Sequence, residues 1–379
     1  MTIATPERYA QMLDAARAGG YAYPAINVTS TQTLNAALQG FAEADSDGII
    51  QVSVGGAAYL SGQAVRDRVA GSLAFAGFAR EMARRYPNIT IALHTDHCAE
   101  PYLGEWVLPL LDHEAEQVRR GEEPAFQSHM WDGSSVSLGH NLDIAERLLD
   151  RSRKAHTILE IEIGAVGGEE DGHIARIDEK LYSTPADALE VVRRLGLGEC
   201  GNYMAAFTFG NVHGAYKPGV VKLRPELLGE IQRTVAAAVN PSTDAAKDRD
   251  DEGSAVAGAN GTVPAFVPVR GGSVPEFPEN KPFKLVFHGG SGSTKEEIRQ
   301  AVGYGVVKMN IDTDTQYAFT RAIAGHMFKH YDGVLKVDGE VGDKQYYDPR
   351  SWGVQAESAM ASRVVEACEV LGSAGKALK

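Results

Sequence analysis

The chain has 379 residues, 44% hydrophobic and 23% charged, enough for one large α/β domain or two smaller ones. Its formal charge is −13, a surface that repels nucleic acid and anionic membrane and leaves any phosphate site to be local. Three distant cysteines, Cys98, Cys200 and Cys368, indicate neither a disulfide framework nor a thiolate zinc site; with no apolar signal core and no run of membrane-spanning length, the chain reads as a soluble, reducing, cytoplasmic protein.

Thr5-Pro6-Glu7-Arg8 predicts a helix start that runs to about Ala18 and is stopped by Gly19-Gly20. Tyr21–Val28 is a strand candidate, Thr29–Ala44 a helix, and Gly48–Val52 the next strand, followed at once by Ser53. A long helical stretch, about Gln63–Arg85, leads into the apolar run Ile89–Leu93. That strand is expected to end before Asp96 and His97. Neighbours on an extended strand point to opposite faces, so the two can share a pocket only where the strand breaks. Helical stretches Pro101–Glu122 and Asn141–Ala155 flank the strand Phe126–Met130, which leads to Asp132. Thr157–Ile163 is a strand carrying Glu160 and Glu162, and the acidic, glycine-rich segment Gly164–Gly172 follows. Pro185–Leu195 reads as a helix, Met204–Phe209 as a strand ending near His213, and Arg224–Val239 as a helix. Strand Lys284–Phe287, helix Lys295–Val302 and strand Val306–Asn310 precede two closing helices, Asp314–Lys329 and Gln355–Leu371.

About eight strands alternating with helices predict a parallel (β/α)8 TIM barrel in a single domain over residues 1–379, with an N-terminal helix and a C-terminal helical extension. The competing architecture is an open doubly wound sheet. Polar or glycine-rich residues after nearly every strand favour the barrel, where all strand ends converge on one face. Residues 240–280, dense in Gly, Pro, Ala, Ser and Asp, read as a flexible insertion before strand seven.

His97, His213 and His288 share a position type, close behind a buried strand, and three imidazoles are enough to hold zinc with a position left open. Each remaining histidine is better read as hydrogen-bonded or solvated. Asp96 beside His97 supplies a carboxylate that can move a proton. The run His288-Gly289-Gly290-Ser291-Gly292-Ser293 after strand seven and Asn310-Ile311-Asp312-Thr313 after strand eight match the place where barrels bind phosphate on backbone N–H groups. Gly167–Gly172 reads either as a solvated acidic loop or as a mobile loop that carries a base over bound substrate.

These pieces, with Pro24-Ala25-Ile26-Asn27, Ser53-Val54-Gly55-Gly56, Thr95-Asp96-His97-Cys98, Gly210-Asn211-Val212-His213-Gly214 and Tyr346-Tyr347-Asp348-Pro349-Arg350, resemble class II, zinc-dependent fructose-1,6-bisphosphate aldolases of the longer (type A) subgroup. The likeness spans almost the whole chain in order; residues 240–280 depart from it. It implies a glycolytic or gluconeogenic lyase that reversibly cleaves fructose 1,6-bisphosphate to dihydroxyacetone phosphate and glyceraldehyde 3-phosphate. It further implies that His97, His213 and His288 hold the catalytic zinc and that Asp132 and Glu162 hold a second divalent ion. Asp96 would be the acid/base at the aldehyde oxygen, and Glu170 would move the proton at the triose carbon. Gly214, Gly289, Gly290, Ser291, Asn310, Ile311, Asp312 and Thr313 would grip one phosphate, with a monovalent cation (Na+ or K+) near Gly214 and Gly289. Asn27 and Ser53 would contact substrate near the breaking bond. Lys344 and Arg350 would serve the other phosphate, Arg350 across a homodimer interface. Tagatose- or sedoheptulose-bisphosphate aldolase and a zinc barrel hydrolase are the alternatives. Lys308, on strand eight, would be the candidate if the chemistry ran through a Schiff base.

Overall fold

The structure is a computed structural model that describes residues 3–164, 167–170, 173–175, 182–213, 223–240, 280–290, 293–335 and 342–378, with 167–170, 173–175, 212 and 213 described as backbone. The expected insertion at 240–280 therefore lies almost wholly outside the described residues.

Eight strands close into a barrel: β1 (Tyr23–Asn27), β2 (Gly48–Val52), β3 (Ile91–Ala99), β4 (Ser128–Asp132), β5 (Ile158–Ile163), β6 (Tyr203–Phe207), β7 (Leu285–Phe287) and β8 (Val306–Ile311). Each pairs in parallel with its sequence neighbours, and β1 closes the ring on β8 with Tyr23 opposite Lys308. The apolar strand residues are buried between the lumen and an outer ring of helices. This is the (β/α)8 barrel that the alternation of elements predicts.

The helix Pro6–Gly19 starts where the Thr5 hydroxyl accepts from Arg8 N–H at 3.2 Å and stops at Gly20, which takes φ +61°. Tyr9, Met12, Leu13 and Ala16 bury one helix face against Tyr23, Ile49, Ala92, Ile158, Met204, Val286 and Val307, all near strand starts. The helix therefore plugs the N-terminal end of the barrel. The C-terminal helix Pro349–Leu371 packs against the helix Thr31–Glu43. Gly40 permits the close crossing: a Cβ there would sit 2.6 Å from both Ala361 O and Val364 Cβ. No helix among the described residues is long and apolar enough to cross a membrane.

Three local expectations are corrected. The helix expected at Gln63–Arg85 is shorter, Arg68–Ala83 capped by Asp67, and is preceded by a separate helix, Val54–Leu60, and a turn where Gly62 has φ +87°. The segment after β5 is not an open loop in its backbone. Gly168–Glu170 pairs antiparallel with His173–Ala175, and Gly167 and Gly168 pair in parallel with Val212 and His213. Finally, β3 does not end at Leu93; it continues to Ala99.

Candidate active site

The extension of β3 builds the site. Its pairing with β4 runs Thr95 opposite His129 and then Cys98 opposite Trp131, so the register shifts between them. The extra residue is absorbed at His97, whose φ is +41°. A bulge thus replaces the expected break and lets consecutive residues, Asp96 and His97, serve one cavity. The His97 N–H, displaced from the ladder, points at Met130 Sδ at 3.3 Å.

Asp96 is buried and held by two amides. Asn310 Nδ2 donates to Oδ1 at 2.8 Å and Asn27 Nδ2 donates to Oδ2 at 2.9 Å, while Gln51 Nε2 donates to Asn27 Oδ1 at 2.5 Å and fixes that amide. Burial pushes the carboxyl up, but His97, Lys308, His94 and His288 outweigh it and hold Asp96 below its usual range. The result is an ionised, oriented carboxylate.

Beside it, the rings of His97 and His288 lie 4.7 Å apart between centroids. His97, His288 and Glu162 each offer a ligand atom, all within 4.8 Å of one another. His288 contacts carboxylates on both sides, Nε2 to Glu160 Oε1 at 2.8 Å and Nδ1 to Glu162 Oε1 at 3.1 Å. His97 Nδ1 lies 3.5 Å from Asp132 Oδ2 and 3.7 Å from Glu162 Oε2. Burial lowers the pKa of His288, yet Glu162 and Glu160 raise it to about 9. Glu162 itself is raised, by burial and by Asp132. Asp132 is held low despite its burial, by His97 and by Ser134, which donates from N at 2.9 Å and from Oγ at 2.5 Å. Buried imidazoles and carboxylates crowded in this way fit a divalent cation of the zinc type.

The grouping differs from that expected. Glu162, assigned to a second ion, stands with His97 and His288, because residues two apart on β5 share a face and both Glu160 and Glu162 reach His288. Asp132 also faces His97. The side chains of His213 and Glu170 lie outside the described residues; their backbones pair with Gly168 and His173 in the small sheet.

A cavity of about 200 Å³ opens beside Asp96 and Asn27 and is lined by Gly289, Gly290 and Asn310 to Thr313. Gly289 takes φ +61°. At Gly290 a Cβ would lie 2.0 Å from Met309 Cε, so only glycine keeps this wall clear without moving Met309. Ser291 and Gly214 lie outside the described residues. Ser53 caps the helix Val54–Leu60, accepting from Gly56 N–H at 3.2 Å, and Lys344 starts the short helix Lys344–Tyr347. Arg350 pairs with Asp348 on the surface at 2.6 Å. None of these three lines the cavity. Sequence reasoning missed Lys295 and Arg363, which do line it. It also gave no role to Glu160, although two glutamates one strand period apart in an apolar run are a legible signal.

A family model described as fructose-bisphosphate aldolase class-II matches residues 7–248 and 267–376. The chain belongs to the class II fructose-bisphosphate aldolase family. It is 55% identical over 379 residues to the fructose-bisphosphate aldolase of Streptomyces coelicolor, covering 100% of both chains, and 52% identical over 376 residues to that of Corynebacterium glutamicum, covering 99% of both. The crystal structure of the Campylobacter jejuni fructose-bisphosphate aldolase superposes with a TM-score of 0.77 at 34% identity, over 99% of this chain and 97% of that one. Class II aldolases are metal-dependent and act on phosphorylated sugars, in keeping with a cation-sized cluster beside a glycine-walled cavity.

Proposed function

We propose that this aldolase reversibly cleaves fructose 1,6-bisphosphate to dihydroxyacetone phosphate and glyceraldehyde 3-phosphate, with Zn2+ held by His97, His213 and His288 and approached by Glu162. The observation that carries the reading is the juxtaposition of an ionised carboxylate, clamped by two amides, with a two-imidazole, one-carboxylate cluster. A divalent cation held by these residues would supply Lewis acidity, worth several kcal/mol, for the charge left when the carbon–carbon bond breaks. Asp96 takes the proton of the C4 hydroxyl in cleavage and returns it in condensation. Asn27 and Asn310 keep both its oxygens aimed. Glu170 moves the proton at the triose carbon, and Gly289, Gly290, Ser291 and Asn310 to Thr313 seat the triose phosphate with Gly214 and a monovalent cation. Asp132 joins Glu162 in holding a second divalent ion. Ser53 contacts substrate, and Lys344 and Arg350 take the other phosphate, Arg350 from the second subunit of a homodimer. The enzyme works in the cytoplasm.

A Schiff base at Lys308 is disfavoured, because its ammonium is fully buried and bound to Glu160 at 2.9 Å and to Asn310 at 2.6 Å. The experiment is cleavage assayed before and after chelation, and with borohydride added in the presence of substrate. Loss of activity on chelation, restored by zinc and indifferent to borohydride, supports the reading; the opposite pattern defeats it. Comparing kcat/KM for fructose, tagatose and sedoheptulose bisphosphates fixes the substrate.

A further inference from the structure

Lys308 and Asn310 stand one strand period apart on β8 and face the same side, the barrel interior. The Lys308 ammonium binds Glu160 Oε2 at 2.9 Å and donates to Asn310 Oδ1 at 2.6 Å. Glu160 accepts from His288 Nε2 at 2.8 Å, and Asn310 Nδ2 donates to Asp96 Oδ1 at 2.8 Å. An unbroken polar chain therefore runs His288–Glu160–Lys308–Asn310–Asp96, across three strands of the barrel and the first residue after a fourth. Lys308 and Glu160 are both fully buried.

Stability alone does not account for this chain. A buried ion pair rarely beats an apolar pair of the same volume, and the lower part of the same lumen is filled with apolar side chains. The direction of the hydrogen bonds is more informative. An ammonium has donors only, so Asn310 must turn its carbonyl to Lys308 and hence its N–H to Asp96. Rotated the other way, the amide would present oxygen to a carboxylate. An ionised Glu160 only accepts, so it holds the proton on His288 Nε2, and Nδ1, which faces Glu162, is the nitrogen a cation would take in place of its proton.

We propose that Lys308 is a positioning residue that fixes both poles of the active site at once: through Glu160 the tautomer of His288, and through Asn310 the amide that holds Asp96. The inference rests on the roles of His288 and Asp96 given above. It predicts that the ion pair can be deleted without unfolding the barrel but not without losing turnover.

The test is the double variant Glu160→Gln/Lys308→Met, which removes both charges together and leaves no unpaired buried ion. Glu160→Leu/Lys308→Met, an apolar pair, replaces it if the first does not fold. Either pair is expected to retain the thermal stability of the parent within a few degrees. Its zinc affinity, measured by chelator competition, should fall about tenfold. At saturating zinc its kcat should fall at least about fivefold with KM little changed. A second arm compares Asn310→Ala with the triple variant. If Lys308 acts on Asp96 through Asn310, the triple variant loses no more kcat than Asn310→Ala combined with the measured zinc deficit. A folded double variant with zinc affinity and kcat both within fivefold of the parent would overturn the proposal and leave the site reading intact. A parent enzyme that neither binds zinc nor cleaves the bisphosphate would overturn both.

Discussion

The two ends of one lumen are built on opposite principles. At the strand starts Tyr9, Met12, Leu13, Tyr23, Ile158, Met204 and Val286 form an apolar plug. A few residues further along the same strands lie His94, Asp96, Glu160, Glu162, His288 and Lys308, all buried. The first end gains from every methylene it hides, about 25 cal/mol per Å². The second keeps buried charge, which is costly unless every group is paired. The contrast separates where this barrel is held together from where it works, and it explains why the site tolerates so many ionisable groups: the plug below supplies stability that the charged layer does not.

The largest effect should come from the charged end. Asp96→Ala is expected to lose about 10³-fold in kcat while keeping zinc, measured by steady-state cleavage and metal analysis. Zinc loss with Asp96→Ala would blur the division of labour within the site. The apolar end should answer in stability instead. Met12→Ala is expected to destabilise by about 2–5 kcal/mol in denaturant titration, with kcat and KM unchanged. A change in kcat there would break the comparison.

A smaller effect follows from pH. The pKa of His288 is raised from 6.5 to about 9, so a cation competes with a proton there. Zinc affinity should rise with pH, by up to about tenfold per unit, between those two values and then level off. In the metal-free chain the sign reverses. The protonated imidazole between Glu160 and Glu162 stabilises the fold below 6.5, and that contribution is lost as pH rises through about 9. Thermal melts of the two forms across this range should therefore converge at low pH and separate at high pH. The least effect concerns the thiols. Burial pushes Cys98 up to about 12 and Cys368 up to about 11. Iodoacetamide near about pH 8 should label the partly exposed Cys200 first, and the other two only after unfolding, by peptide mass spectrometry.

Much of this was legible before any coordinates. The alternation of apolar runs with helical periods is local information, and it fixed eight strands and the convergence of their ends. The glycines at 289 and 290 and the pair Asp96-His97 stood out for the same reason. What was not legible depends on pairing between distant strands. The bulge at His97 exists only relative to β4, where Met130 meets its displaced N–H. The meeting of Glu162 with His97 and His288 likewise needs the register of three strands. The residues of the polar chain, Glu160, Lys308 and Asn310, were visible as polar positions in apolar strands, but nothing local says which of them touch.

Anomalous diffraction at the zinc edge, from crystals of the zinc-loaded enzyme, tests the central claim most directly. The account predicts one peak within about 2.0–2.3 Å of a ring nitrogen of both His97 and His288, beside Asp96 and the Gly289–Gly290 wall. A peak that touches only one of the two imidazoles, or none at this site, would contradict it.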